Sequence, residues 1–215
     1  MIYIKCAYAT VITNNYYIEG VLALSARLKH LDSKYPLLVL VSSNVNTEKL
    51  SKLNLITIPE LALSSVENYF KYTLNKFQVL LLENYDKILF LDADLFPLNN
   101  FDNIFNQKME CDILCSPRSS FDTHIHGGMF LVHPNKELFY TILKNDFIEH
   151  FKDDEEILEY FFGDKKNFYF SECRYIHFGG IPKYWQSKNF NFKSIIQGSI
   201  DECYEFFNYF NKERN

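Results

Sequence analysis

Two aspartates, Asp92 and Asp94, close a short apolar run, Ile88-Leu89-Phe90-Leu91, with Ala93 between them. The run is too short for a buried helix and reads as a buried strand of an α/β sheet. Side chains alternate along a strand, so Asp92 and Asp94 point to the same side if the extended form persists. That sets two carboxylates together at the carboxyl edge of a sheet, where open α/β folds bind ligands. Paired carboxylates repel, and each is costly to desolvate alone. A divalent cation resolves both problems, and oxygen ligands suit Mg²⁺ or Mn²⁺. The same pair is compatible with a solvated turn, so the rest of the chain decides.

Three further groupings, and one lysine, carry polar atoms able to meet a ligand. Thr13, Asn14 and Tyr17 follow the first apolar strand, where they can face a crevice or simply cap a helix. Lys76 lies on the segment before the Asp pair. Asp153 to Glu156 gives a strongly acidic helix start, favourable to the helix dipole whatever else it does. Finally, His177, Gly179, Gly180 and Lys183 fall within seven residues, and the chain's one tryptophan, Trp185, comes next. A histidine can add a ligand to a cation held by Asp92 and Asp94. Glycines let backbone N–H groups approach phosphate oxygens, and a lysine can neutralise a leaving phosphate.

The elements that must position these groups follow from periodicity. Strands are expected over Ala7–Ile12, Leu37–Val41 and Leu55–Ile58, with a helix over Tyr17–Leu31 and a short one over Thr47–Leu53. That alternation is the pattern of a parallel sheet with right-handed crossovers. A helix over Tyr69–Asn84 feeds the strand that ends at Asp92, and Pro97 marks a break. A short helical or turn segment over Phe101–Asn106 comes next. Beyond it, strands are expected over Asp112–Ser116, Gly127–Val132, Phe168–Phe170 and Arg174–Phe178. Helices are expected over Lys136–His150, Asp153–Phe162 and Ile200–Phe210. The fold class is α/β: one domain over 1–215, with a Rossmann-like, mostly parallel central sheet flanked by helices and a small extra antiparallel part. Its halves divide at about residue 100, the second running to about 198 before a C-terminal helix.

Composition narrows the class. A net charge of -5 offers no global basic field for nucleic acid. The five cysteines form no C-x-x-C pair, which favours reduced thiols. No apolar run approaches the ~18 residues of a membrane span, and the start lacks the basic region of a signal peptide. The expectation is a soluble, cytoplasmic protein with no membrane segment and no nucleic-acid partner.

The ordered motifs resemble the glycogenin-like members of glycosyltransferase family 8, over about Tyr8 to Trp185. Those enzymes open with T-N-x-x-Y and a Gly three residues later, here Thr13 to Tyr17 with Gly20. They carry a Lys sixteen residues before D-x-D, here Lys76 before Asp92-Ala93-Asp94. Their F-N-[SA]-G-[VM]-F segment corresponds to Ile125–Phe130, and their D-Q-x-x-[LI]-N helix start to Asp154–Glu159. Their closing H-F-x-G-x-x-K-x-W signature is complete from His177 to Trp185.

The resemblance implies a GT-A type fold and a retaining, metal-dependent transfer of a hexosyl or deoxyhexosyl group from a nucleotide sugar to an acceptor hydroxyl. It implies that Val11, Thr13, Asn14 and Tyr17 hold the nucleoside of a UDP-sugar, and that Lys76 contacts the donor sugar or phosphates. Asp92, Asp94 and His177 would ligate Mn²⁺ or Mg²⁺, with Ala93 lying against the donor. Gly180 and Lys183 would bind the diphosphate, and His126, Gly127, Asp154 and Glu155 would lie at the transferred sugar. Among these, Asp154, Glu155 and Lys183 are the candidates for catalysis.

Two departures bear on the sugar: His126 stands where the family has Asn, and Glu155 where it has Gln. The stretch from Asp154 to His177 spans only 23 residues. Family members that glucosylate their own tyrosine carry that tyrosine in a much longer stretch. The expectation is therefore a trimmed transferase acting on a separate glycan or protein acceptor. A haloacid-dehalogenase-like phosphatase also ends a strand in D-x-D, but near the start of its fold, with Thr or Val where Phe96 stands here. A sugar nucleotidyltransferase would need a Gly-rich basic loop after the first strand. A non-catalytic nucleotide-sugar-binding module is the reading from a different class.

Overall fold

The computed structural model describes residues 4–63, 69–117, 124–146, 148–163, 173–179, 183, 185, 205–206 and 212. Six strands form one sheet in the order β3-β2-β1-β4-β7-β6. They are β1 Cys6–Ile12, β2 Leu37–Ser42, β3 Asn54–Ile58, β4 Lys87–Leu91, β6 Ile113–Pro117 and β7 Ile125–Val132. β3, β2, β1 and β4 pair in parallel, while β7 is antiparallel to both β4 and β6. A second sheet pairs β5 Leu95–Pro97 with β8 Tyr175–His177, antiparallel. This is the expected α/β architecture with its small antiparallel addition.

The apolar runs exist because the sheet is covered on both faces. On one face Tyr8, Val39, Leu89 and Leu131 join a core closed by α1 (Ile18–His30) through Val21, Leu24 and Leu28. On the other, Ala9, Leu40, Phe90 and Phe130 meet α2 (Lys136–Leu143) and α3 (Asp154–Phe162), with Leu74, Phe77 and Leu80 from the segment before β4. Adjacent residues of one strand thus feed opposite cores, the two-residue period of extended chain. Each buried Leu or Phe contributes roughly 1.5–3 kcal/mol.

Several expected helices differ in detail. The segment Tyr69–Leu81 is a 3-10 helix rather than an α-helix to Asn84. Within it the Asn75 amide donates to the Tyr72 carbonyl and exchanges hydrogen bonds with both backbone groups of Leu61. Such side-chain bonds compete with the α pattern. The helix expected over Lys136–His150 ends at Leu143, and a 3-10 turn follows over Ile148–His150. Asn145 and Asp146 lie between them, residue types that favour turns over helix interiors. The short helices at Thr47–Leu53 and Phe101–Asn106 are 3-10 turns over Glu48–Leu50 and Asp102–Asn106. Pro97, expected as a break, is the last residue of β5. The strand expected at Phe168–Phe170 lies outside the described residues, as does the helix expected at Ile200–Phe210 apart from Glu205 and Phe206, which are helical. Among the described residues no helix is long and apolar enough to cross a membrane, and Cys6, Cys111, Cys115 and Cys173 are free thiols.

Candidate functional site

Sheet register assembles the site. The chain runs outward from β1 through β2 to β3, then returns to place β4 on the other side of β1. The carboxyl ends of β1 and β4 therefore flank the point where strand order reverses, the usual crevice of an open α/β sheet. Ala9 lies opposite Phe90, and continuing that register brings Val11 beside Asp92. Leu91 lies opposite Met129, and the Asp92 N–H donates to the Gly128 carbonyl at 2.9 Å. In the small sheet His177 lies opposite Leu95, and the Phe178 N–H donates to the Asp94 carbonyl at 3.0 Å. Four elements distant in sequence thus converge on the Asp pair.

A cavity of about 760 Å³ opens there, within the size range of small-molecule sites. Of the residues singled out in the sequence, Val11, Thr13, Asn14, Tyr17, Lys76, Asp92, Ala93, Asp94, His126, Gly127, Asp154, Glu155 and His177 line it. Lys183 does not. Its ammonium is buried, paired with the Asp94 carboxylate and donating to the Phe178 carbonyl. Gly180 lies outside the described residues. Sequence reasoning missed Phe70, Tyr72 and Thr73 in the cavity wall. Nothing in the sequence marked them: Phe70 and Thr73 fall in one row with Lys76 only at three residues per turn, in the 3-10 helix the structure shows.

Charge is concentrated at the cavity floor. Lys76 Nζ bridges Asp92 at 3.0 Å and Asp154 at 2.8 Å, and donates to the Gly127 carbonyl at 3.3 Å. Burial alone would lower the Lys76 pKa, but Asp154 and Asp92 outweigh it and hold the ammonium charged. Burial would likewise raise Asp92, yet Lys76 and His177 keep its carboxyl well below the usual range. Asp154 is raised, chiefly by burial, against the pull of Lys76. The Glu155 carboxylate accepts from the Gly127 N–H at 3.1 Å, and Asp153 caps α3 by accepting from the Glu156 N–H.

His177 Nε2 lies 3.4 Å from Asp92 and 3.2 Å from Asp94. Burial works against its charge, but hydrogen bonds to both aspartates raise its pKa to about 9. Its neighbour His126 is lowered to about 4, first by burial and then by the His177 cation. A proton on His177 therefore supplies positive charge between the two carboxylates in the structure. The ligand atoms of Asp92, Asp94 and His177 all lie within 4.8 Å of one another. Two oxygens and an imidazole nitrogen converging on one point suit a divalent cation such as Mn²⁺ or Mg²⁺.

No protein-family model matches the chain. Sequence relatives are nonetheless present. An uncharacterised protein of Acanthamoeba polyphaga mimivirus, R707, is 28% identical over 181 residues, covering 70% of this chain and 64% of that one. UDP-glucuronate:xylan alpha-glucuronosyltransferase 2 of Arabidopsis thaliana is 27% identical, covering 64% of this chain and 24% of that one. Glycogenin-1 of Oryctolagus cuniculus is 24% identical, covering 64% of this chain and 44% of that one. The chain thus spans from about a quarter to just under two-thirds of these relatives' lengths. Among solved structures, the glycosyltransferase GlyE of Streptococcus pneumoniae matches 99% of this chain and 64% of its own, with a TM-score of 0.64 and 15% identity. The galactosyltransferase LgtC, solved with donor and acceptor sugar analogues, matches 94% of this chain and 95% of its own, with a TM-score of 0.65 and 10% identity. The fold is that of the GT-A glycosyltransferases, and the named sequence relatives, glucuronosyltransferase and glycogenin, are glycosyltransferases of family 8.

Proposed function

We propose that this chain transfers a sugar from a nucleoside diphosphate sugar, a UDP-sugar before others, to a hydroxyl of a separate glycan or protein acceptor. The observation that carries the reading is the convergence of Asp92, Asp94 and His177 at the floor of a nucleotide-sized cavity between β1 and β4. A divalent cation held by these three would neutralise the diphosphate and stabilise it as a leaving group. The end of β1 and the turn after it supply the nucleoside end: Val11, Thr13 and Asn14 offer polar and backbone groups, and Tyr17 a ring. Lys76, fixed by two carboxylates, orients the sugar–phosphate junction.

In the reaction the bond between the anomeric carbon and the diphosphate oxygen breaks, and its electron pair leaves with the diphosphate. The acceptor oxygen bonds to the same carbon on the face just vacated, and its proton passes to the departing phosphate oxygen, retaining configuration. The Asp154 carboxylate, held by Lys76, would stabilise the cationic anomeric centre. Glu155 and Gly127 shape the sugar end of the cavity. Lys183 holds Asp94 in place beneath the diphosphate site.

A panel of nucleotide sugars incubated with Mn²⁺, read by nucleoside diphosphate release, tests the reading. Release from one or a few UDP-sugars, abolished by chelation and by Asp94→Asn, is expected. Hydrolysis of simple phosphate monoesters in place of nucleotide sugars would instead favour the phosphatase reading of the Asp pair. Binding of UDP with no release from any donor would favour a non-catalytic module.

A further inference from the structure

This inference rests on the reading of Asp92, Asp94 and His177 as cation ligands. We propose that His126 is a positioning residue for that site, fixing the ring orientation and tautomer of His177 through a direct imidazole–imidazole hydrogen bond. His177 turns Nε2 toward the two aspartates, at 3.4 and 3.2 Å. Its other nitrogen, Nδ1, lies 2.7 Å from His126 Nε2. The rings meet edge to face, with centroids 4.7 Å apart and planes at 82°. His126 Nδ1 in turn lies 3.2 Å from the Tyr175 hydroxyl, and those two rings stack at 5.6 Å.

Ligation orders this chain of bonds. As a ligand, His177 would give its Nε2 lone pair to the cation, leaving the ring proton on Nδ1. That N–H donates to His126 Nε2, which must be the unprotonated nitrogen of a neutral ring. The proton of His126 then sits on Nδ1, aimed at the Tyr175 oxygen. A ligating histidine commonly donates its second N–H to a carboxylate or carbonyl, which locks the ring. Here a neutral imidazole does that work and adds no negative charge beside Asp92 and Asp94.

The backbone makes room for the pair. A Cβ at Gly128 would lie 2.8 Å from His177 Cε1 and 2.9 Å from His126 Cε1, closer than real Cβ contacts allow. The position where the resembling family carries Asn thus serves here as support for a ligand, which accounts for a histidine there.

The test is Mn²⁺ binding without nucleotide, read from the electron paramagnetic resonance of the free ion. Wild type, His126→Phe, His126→Gln and Asp94→Asn are compared, and thermal unfolding in chelator verifies that each is folded. His126→Phe is expected to weaken Mn²⁺ about 10–100-fold, the usual cost of losing such a support. His126→Gln, whose amide oxygen can reach the Nε2 position, is expected to stay near wild type. Equal weakening in both variants would reduce the role to packing, and unchanged affinity in His126→Phe would overturn it outright. If His126→Phe does not fold, nitrogen–proton correlation spectra of wild type with Mg²⁺ decide instead. A His177 protonated at Nδ1 is expected, and one protonated at Nε2 would overturn the proposal. A wild type that takes up no Mn²⁺, or an Asp94→Asn that binds as wild type does, would remove the cation reading itself.

Discussion

At the residue scale, the site is a set of buried charges that hold one another in place. Asp92, Asp94 and Asp154 face Lys76, Lys183 and a protonated His177. The two histidines make this arrangement pH-sensitive in the metal-free protein. His177 is raised to about 9 from 6.5, so its contribution to stability is full below 6.5 and lost as pH rises to about 9. His126 is lowered to about 4, so its contribution is full above 6.5 and lost as pH falls to about 4. Thermal unfolding in chelator is therefore expected to peak near pH 6.5 and fall on both sides; a midpoint flat from pH 4 to 9 would contradict the pairing. Gly127 yields a second expectation. A Cβ there would overlap Asp154 Oδ2 and lie 2.9 Å from Glu155 Cγ. Gly127→Ala should displace the carboxylate that Lys76 holds, cutting donor turnover about 100-fold for a shift near 1 Å. Turnover at the wild-type rate would show that this contact does not matter.

At the element scale, the strands were the most legible part of the sequence. β1, β2 and β4 are built on short, mostly apolar runs, and a run that short reads as a strand buried on both faces rather than as a buried helix. The 3-10 helix over Tyr69–Leu81 was not legible, because its side-chain bonds to Leu61 depend on a segment eight or more residues away. The pairing of β5 with β8 was hidden too, since three-residue strands carry no periodicity and join segments far apart in sequence. Gly20 was noticed through family resemblance, and its physical reason lies in packing. A Cβ at Gly20 would sit 2.6 Å from the Ala93 carbonyl and 2.8 Å from the Trp185 ring. Helix α1 therefore rests directly on the D-x-D turn, with Tyr16 and Tyr17 against Trp185 on the same side. Gly20→Ala is expected to lift α1 off that turn, lowering the melting temperature and weakening UDP binding together, as read by calorimetry. Loss of neither would contradict this packing role.

At the scale of the whole molecule, topology concentrates chemistry that no local stretch contains. Thr13 follows β1, Asp92 follows β4, His126 lies in β7, Asp154 opens α3 and His177 ends β8. Each alone has an ordinary structural explanation, and their order along the chain made the constellation readable in advance. The internal partners were not readable: Lys183 against Asp94, and His126 against His177, depend on side-chain packing across segments 89 and 51 residues apart. The central claim is that the Asp pair and His177 hold a cation on which a nucleoside diphosphate depends. Calorimetric titration of UDP tests it most directly, with Mn²⁺ or with chelator, on wild type and Asp94→Asn. The amide keeps the shape beside Lys183, so the variant separates lost charge from lost packing. Binding of UDP to wild type with Mn²⁺, absent in chelator and absent in Asp94→Asn, is the predicted result. Equal UDP binding with and without Mn²⁺, or undiminished binding by Asp94→Asn, would contradict it.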